Sequence, residues 1–119
     1  EMAALDCAVS HCPDSNFFLG SGQMPLKAVR DRGIRLGLGT DVGAGRTFSL
    51  PRVTAAAYDT AKITGAAVSA ENLLWYASTG GAEALNLADR VGHFEAGFEA
   101  PGELRAPKSL LGAQKSASG

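Results

Sequence analysis

The sequence predicts an α/β fold with parallel strands, and it predicts that this chain is one part of a larger sheet or barrel. Two observations carry the prediction. A strand, a loop, a helix and a second strand follow one another within about 33 residues, the length of a βαβ unit with a right-handed crossover. Helical segments then follow without a further strand. Because a parallel sheet is covered on both faces, two strands alone cannot complete the domain.

The βαβ unit begins with an apolar run, Cys7–Cys12, that stops at Pro13. Short apolar runs that end at a proline are typical of buried strands. Turn-forming residues predict a loop over 14–22. A helix is expected over Leu26–Arg32, since a glycine follows it at the position of a C-cap. The second strand is expected over Ile34–Thr40, where apolar residues alternate and glycine again ends the run.

Three helices are expected in the second half of the chain, over Leu50–Thr64, near Ala70–Ser78 and near Ala82–Leu87. The first of them has an alanine-rich face that suits close packing. The pair Gly80-Gly81 is expected to separate the last two helices. Each helix follows a hydroxyl side chain that can cap its first turn. These expected N-caps are Ser49, Ser69 and Thr79.

Composition and charge exclude several functional classes. The 119 residues contain 11 Lys and Arg against 12 Asp and Glu, and the formal net charge is -1. Without a basic excess, nucleic acid is not expected as a partner. No apolar run approaches the roughly 18 residues that a membrane helix needs, so no membrane partner is expected. The 2 cysteines, Cys7 and Cys12, are too few for a disulfide framework, which favours a reducing, cytoplasmic location.

The densest group of candidate functional residues is the loop after the second strand, Gly39–Gly45. Its aspartate, Asp41, follows the carboxyl end of a buried parallel strand, the edge where α/β proteins place their sites. A carboxylate there is costly unless it is paired, hydrogen-bonded or bound to a metal. Asp41 is therefore a candidate metal ligand or proton carrier. The alternative is an aspartate that caps the following turn.

A second group of candidates, 11–16, follows the first strand. His11 ends that strand and could line the same pocket as Asp41. It is the weaker candidate, because a lone histidine at a strand end is more often a structural residue than a ligand. Cys12 is expected to be a small buried side chain rather than a nucleophile. A zinc cluster of cysteines and histidines is disfavoured, since their spacing matches no known ligand pattern.

The two groups, taken in order, resemble the amidohydrolase superfamily. The motif H-C-P-x-S-N lies at 11–16, and the motif G-L-G-T-D-V-G-A-G lies at 37–45. The later stretches 79–87 and 91–97 also resemble that superfamily's last helices and the turn after them. Within the superfamily, the similarity is greatest to the guanine deaminase family, and it covers about residues 1–99.

The resemblance implies a fold. The chain would be a fragment of a (β/α)8 barrel of the TIM type, a metal-dependent hydrolase, with the last two strands and the helices that follow them. Residues 1–92 would form the carboxyl-terminal part of that barrel. Residues 93–119 would be a truncated or aberrant tail, because the family's strand that returns to a small β-sandwich finds no match there.

The resemblance also implies a site and a reaction. Asp41 would ligate zinc, contact the substrate and pass a proton to it, as the family's aspartate after the eighth strand does. His11 would be at most a wall of the substrate pocket. The cofactor would be Zn2+ and the substrate a small purine. The reaction would be the hydrolytic deamination of guanine to xanthine and ammonia.

The chain holds too little of this site to be expected to work alone. A catalytic zinc takes about three protein ligands, and a (β/α)8 barrel takes about 250 residues. The family's zinc-binding histidines, catalytic glutamate and guanine-binding residues find no match here. One alternative is a fragment of another amidohydrolase, such as an s-triazine or chlorohydrolase-type enzyme or a thiomethyladenosine/S-adenosylhomocysteine deaminase. The other alternative is a non-enzymatic α/β interaction module. Further copies of this chain are a candidate partner in each case.

Overall fold

A computed structural model describes residues 1–99, which form a two-stranded sheet and a set of helices packed against it. The elements in chain order are β1 (Ala8–His11), α1 (Pro13–Leu19), α2 (Leu26–Asp31), β2 (Arg35–Leu38), α3 (Leu50–Ile63), α4 (Ala70–Tyr76) and α5 (Thr79–Ala84). The strands pair in parallel, with Ala8 opposite Arg35 and His11 opposite Leu38. The predicted parallel arrangement is therefore confirmed, with each strand shorter than expected.

Helix α1 lies where the sequence predicted a loop over 14–22, and that prediction was wrong. Pro13 occupies the first turn, where its fixed φ suits a helix and its missing N–H leaves no bond unmade. Asp14 adds a negative charge near the positive end of the helix dipole. Gly20, which indicated a loop, is instead the C-cap of the helix, with a left-handed φ of 65°.

Helix α5 also departs from the prediction, because it begins at Thr79 rather than near Ala82 and runs through two glycines. Thr79 is therefore not its N-cap. The reason is close packing against β2. A Cβ on Gly37 of β2 would lie only 2.8 Å from the Cα of Gly81. A Cβ on Gly80 would likewise lie 2.9 Å from the carbonyl oxygen of Leu36. Glycine has a low helix propensity, but the missing side chains of Gly37 and Gly80 let the backbones of the strand and the helix approach each other.

The remaining helices agree with the prediction to within about two residues, the usual uncertainty of a helix end. At the start of α3, the Ser49 hydroxyl accepts a hydrogen bond from the backbone N–H of Arg52. At the start of α4, Ser69 and Asn72 form a reciprocal capping box. Both of these predicted caps are confirmed.

The core joins the two strands to α2, α3 and α4. Its central buried side chains are Leu26, Leu36, Ala61, Ala66 and Tyr76. Helix α3 turns one face inward, and small residues such as Ala56 and Ala57 on that face let the helix lie close to its neighbours. This packing holds the two strands in place, and the loops at their carboxyl ends extend from the packed core.

Other sequence predictions concern features outside this core. Cys7 and Cys12 are both free thiols, as expected. Within residues 1–99, no helix has the length and apolar character that crossing a membrane requires. The predicted aberrant tail, 93–119, lies mostly outside the described residues, and its assignment stays a prediction.

Candidate functional site

The carboxyl ends of β1 and β2 bring two chain segments side by side. The backbone N–H of Gly39 donates a hydrogen bond of 2.9 Å to the carbonyl oxygen of His11, which extends the pairing past β2. The first turn of α1 follows β1, and the loop 39–49 follows β2. Both predicted groups of candidate residues therefore lie at one edge of the sheet, where parallel α/β folds place their sites.

Asp41 lies in the loop after β2 with its backbone in the left-handed region, at a φ of 52°. Its carbonyl oxygen accepts hydrogen bonds from the N–H groups of Ala44, at 3.1 Å, and Gly45, at 2.5 Å. The carboxylate does not close this turn. Its Oδ2 instead accepts a hydrogen bond of 2.7 Å from the hydroxyl of Ser15 in α1. The alternative in which the Asp41 side chain caps the following turn is therefore not what the structure shows.

The two partners of this hydrogen bond have opposite environments. Ser15 is 2% exposed, whereas Asp41 lies on the surface of residues 1–99. Among those residues, none donates a hydrogen bond to the second carboxylate oxygen, Oδ1. One oxygen of Asp41 is thus anchored to the body of the fold, and the other is open. A carboxylate held in this way suits a ligand or a proton carrier.

Gly45 fixes the shape of the loop around Asp41. A Cβ at this position would lie 2.9 Å from the carbonyl oxygen of Asp41, and it would come closer still to the carbonyl oxygen of Thr40. Real Cβ atoms do not make contacts this short, so a side chain here would force the loop to move. The glycine lets the loop fold back tightly on the residue that carries the carboxylate.

An ion pair between the buried carboxylate of Asp14 and two partly exposed arginines, next to Ser15, ties the same loop to α1. Asp14 is 3% exposed. Arg46 donates two hydrogen bonds to it, from Nε to Oδ2 at 3.1 Å and from Nη2 to Oδ1 at 3.0 Å. Arg52 donates a third, from Nε to Oδ1 at 3.2 Å. The hydrogen bond from Arg46 is the main reason that the pKa of Asp14 lies below its usual value, and the same bond raises the pKa of Arg46.

Sequence reasoning missed the role of these supporting residues. Asp14 and Ser15 fell within the 11–16 motif, but their partners Arg46 and Arg52 gave no local signal. The partners lie more than thirty positions away in sequence. Only the parallel pairing of β1 and β2, which sets the two loops side by side, brings them together.

His11 is 2% exposed, and within residues 1–99 neither of its ring nitrogens has a hydrogen-bond partner. Burial lowers the pKa of His11 from 6.5 to about 4, so the ring is neutral at pH 7. The structure links the Asp41 carboxylate to Ser15 and records no hydrogen bond between Asp41 and His11. The role of His11 as a pocket wall stays a prediction.

The described residues contain one candidate zinc ligand, Asp41, and not a complete set. Within residues 1–99, no cluster of three or more His, Cys, Asp or Glu side chains is placed to hold a metal ion. Catalytic zinc takes about three protein ligands and keeps a further position open. The open oxygen of Asp41 fits one of those ligand positions. The other ligands would have to come from elsewhere in a complete barrel.

A groove of about 630 Å³ lies beside this edge, between α1 and α3. It is lined by Asp14, Phe17, Arg46, Arg52 and the outer face of α3. Asp41 does not line it. The groove therefore borders the supporting ion pair and not the candidate reactive carboxylate.

Comparison with known proteins decides the family. The sequence profile of the amidohydrolase family matches residues 1–101. The chain belongs to the amidohydrolase family. It is 39% identical over 93 residues to guanine deaminase of Escherichia coli, covering 78% of this chain and 21% of that protein. It is 44% identical over 99 residues to a probable guanine deaminase of Deinococcus radiodurans, covering 81% of this chain and 23% of that protein.

Solved structures agree with the sequence comparison. The fold matches E. coli guanine deaminase with a TM-score of 0.79 and 36% identity, over 83% of this chain and 23% of that one. It matches an adenosine deaminase from Xanthomonas campestris with bound zinc at a TM-score of 0.71 and 33% identity, over 78% of this chain and 22% of that one. The predicted fold class, a part of a metal-dependent hydrolase barrel, is confirmed. This amidohydrolase chain spans about a quarter of the length of the relatives it matches.

Proposed function

We propose that this chain is the carboxyl-terminal part of a zinc-dependent guanine deaminase, which hydrolyses guanine to xanthine and ammonia. The observation that carries the proposal is the Asp41 carboxylate at the end of β2, with one oxygen anchored by Ser15 and the other open. Similarity to the guanine deaminases supports the choice of substrate. The zinc bound to the adenosine deaminase from X. campestris supports the choice of metal.

Asp41 would serve both as a ligand and as a proton carrier. Zinc, when bound, supplies a Lewis acid and makes a nucleophile available from water near neutral pH. The open oxygen of Asp41 would face the metal, and the carboxylate would take the proton that this water gives up and deliver it to the departing amine. The hydroxyl of Ser15 would keep the other oxygen fixed, so that the carboxylate does not rotate between the two tasks. Neutral His11 would contribute a wall of the substrate pocket.

The site needs metal ligands beyond those that residues 1–99 supply. One carboxylate cannot hold catalytic zinc, since about three protein ligands are required. The proposal therefore includes the expectation that the 119 residues alone do not deaminate guanine. The remaining ligands and the guanine-binding groups would come from the other strands of the barrel.

A chimera tests the proposal. Residues 1–99 would replace the matching segment of E. coli guanine deaminase, which is 39% identical over 93 residues. We expect the chimera to convert guanine to xanthine, and we expect Asp41→Ala to lower kcat by at least about 100-fold, as for loss of a general acid or base. Xanthine formation is followed by absorbance. Asp31→Ala is the matched control, because Asp31 is an exposed aspartate that pairs with Lys27 on the surface of α2. Equal turnover with and without the Asp41 carboxylate would contradict the proposal.

A second candidate function rests on a specific observation. The chain is 38% identical over 97 residues to a 5-methylthioadenosine/S-adenosylhomocysteine deaminase of Teredinibacter turnerae. That identity lies close to the value for E. coli guanine deaminase. The same segment placed in a deaminase of each kind would separate the two candidates, since only the matching host should keep near-native turnover of its own substrate.

The location follows from the same proposal. The free thiols of Cys7 and Cys12 are typical of a reducing compartment. They support a cytoplasmic enzyme of purine breakdown. Association between copies of the chain stays an open prediction, and gel filtration of the purified protein would test it.

A further inference from the structure

We propose that Ser15 is a positioning residue for Asp41, and that the first turn of α1 holds the loop bearing this carboxylate at two adjacent points. The proposal deepens the proposed function and rests on it, since it concerns the same carboxylate. It adds a residue whose chemistry is to fix a ligand rather than to touch substrate.

The first point of attachment is the hydrogen bond from Ser15 to Asp41. The Ser15 hydroxyl donates to Oδ2 at 2.7 Å, the normal length for an O–H···O⁻ bond. Ser15 is 2% exposed, so little solvent competes for its hydroxyl. Its backbone lies in α1, whose position is set by packing against α3. The donor is therefore held by the body of the fold, and the acceptor lies on an exposed loop.

The second point of attachment is the ion pair one residue earlier. Asp14 accepts two hydrogen bonds from Arg46, which lies in the same loop as Asp41. A guanidinium that makes two hydrogen bonds to one carboxylate fixes orientation as well as distance. Arg52, at the start of α3, binds the same carboxylate at 3.2 Å. The loop is thereby tied to both helices that border it.

Asp41 needs this support because its own backbone is strained. A non-glycine residue in the left-handed region is strained, and it persists only when its surroundings hold it. The turn that closes on the Asp41 carbonyl supplies part of this restraint. The turn restrains the backbone but leaves the carboxylate free to rotate. The hydrogen bond from Ser15 holds the carboxylate in one orientation and helps to keep the turn closed, and it leaves Oδ1 as the oxygen available to a metal.

The experiment uses the chimera with E. coli guanine deaminase in its zinc-loaded form, together with the 119-residue chain. The variant is Ser15→Ala, which removes the hydroxyl and keeps a small buried side chain. The matched control is Ser21→Ala, whose exposed hydroxyl donates a hydrogen bond to the Asn16 side chain and to no other group among residues 1–99. The measurements are zinc affinity by chelator competition, and kcat and KM for guanine. Loss of a residue that orients a ligand typically costs 10- to 100-fold in metal affinity or activity.

We expect Ser15→Ala to weaken zinc binding and lower kcat by about tenfold or more, with KM nearly unchanged. Ser21→Ala should leave all three values as they are. A second variant, Arg46→Met, should move zinc affinity in the same direction. A merely structural role for Ser15 would lower the melting temperature without changing the zinc affinity of the folded protein. Zinc affinity and kcat within twofold of the parent would overturn the proposal.

Hydrogen exchange separates failure of this proposal from failure of the proposed function. In the 119-residue chain, the amides of Ala44 and Gly45 are protected only while the Asp41 turn is closed. Ser15→Ala should speed their exchange, and Ser21→Ala should not. A chimera without zinc or turnover would refute the proposed function, whereas faster exchange would still support the role of Ser15. Unchanged exchange in Ser15→Ala would count against that role whatever the chimera does.

Discussion

The first turn of α1 and the loop 39–49 lie side by side but are built in opposite ways. The first turn of α1 is regular and buried: Asp14 and Ser15 are 3% and 2% exposed. The loop is irregular and mostly exposed, and it carries a residue in the left-handed region, Asp41. The two segments therefore differ in what they contribute. The buried segment supplies hydrogen-bonding partners, and the exposed segment carries the Asp41 carboxylate, whose second oxygen has no donor among residues 1–99.

This difference also explains where strain is tolerated. Strained backbone tends to collect at functional sites, provided that the surrounding structure holds it in place. Asp41 is held by the hydroxyl of Ser15, by a closed turn and by the absence of a side chain at Gly45. Changes to buried side chains that make no hydrogen bond to Asp41 should therefore alter stability first, whereas changes in the loop or at Ser15 should alter activity first.

The largest expected effect lies on the buried side, at His11. Its pKa is lowered from 6.5 to about 4, so the folded state binds fewer protons than the unfolded state between these values. The free energy of unfolding keeps its full value above pH 6.5. It falls as the pH drops toward 4, by at most about 3 kcal/mol. His11→Leu should remove this loss and leave stability at pH 7 equal or higher, since an unpartnered polar ring disappears.

Urea titrations of the 119-residue chain and of His11→Leu, from pH 7 to pH 4, measure this difference. Asp14 does not interfere with it. Its pKa is lowered, mainly by the hydrogen bond from Arg46, so its contribution is lost only as the pH falls below about 4. Parallel stability curves for the two proteins between pH 4 and pH 6.5 would show that His11 titrates normally.

The next effect lies in the loop, at Gly45. Gly45→Ala would place a Cβ 2.9 Å from the carbonyl oxygen of Asp41, so the loop must shift. A displacement of about 1 Å in a catalytic group can cost roughly 100-fold in rate. We expect kcat of the chimera to fall by about that factor while its melting temperature changes little. Gly81→Ala is the control, because its Cβ would meet only the Tyr76 carbonyl oxygen at 3.9 Å.

A smaller effect is expected within β2, where the strand contacts helix α5. Gly37→Ala would bring a Cβ to 2.8 Å from the Cα of Gly81. Overpacking of this kind typically costs 1–3 kcal/mol, so we take about 2 kcal/mol. Thermal unfolding of the chain should show the loss, and the zinc affinity of the folded chimera should stay unchanged. A loss of zinc affinity in Gly37→Ala would contradict the separation between residues that stabilise the fold and residues that form the site.

The smallest effect is expected far from both segments, at the start of α4. Ser69→Ala breaks a capping box with Asn72 and should cost about 1 kcal/mol in the free energy of unfolding. Activity per folded molecule should not change. The helix content and melting curve measured by circular dichroism give the comparison, and a fall in kcat would mean that α4 communicates with the site.

The sequence allowed much of the fold to be predicted, because its signals were local. Proline, glycine and serine marked the ends of strands and helices, and Ser49 and Ser69 cap helices as expected. The two failures, α1 and the start of α5, are places where glycine and turn-forming residues serve packing or end a helix rather than form a loop. Local propensity does not contain that information.

The candidate site was predictable only in part, for a similar reason. Asp41 was a candidate because a carboxylate after a buried parallel strand is costly unless it is paired, hydrogen-bonded or bound to a metal. The partner that holds it, Ser15, is 26 residues away, and Arg46 is 32 residues from Asp14. Such pairs depend on how the two strand ends meet in space. The motif places Ser15 near the site. The structure adds the hydrogen bond of 2.7 Å from its hydroxyl to the Asp41 carboxylate, and this bond is the reason to assign Ser15 a role in holding that carboxylate.

The zinc content of the 119-residue chain, measured beside that of the chimera, tests the central claim most directly. The claim is that this chain supplies one anchored ligand, Asp41, to a site that the rest of a barrel completes. We predict about one zinc per chimera, lost in Asp41→Ala, and far less than one zinc per isolated chain. One tightly bound zinc per isolated chain, lost in Asp41→Ala, would contradict the account, since it would show that the missing ligands are already present in these residues.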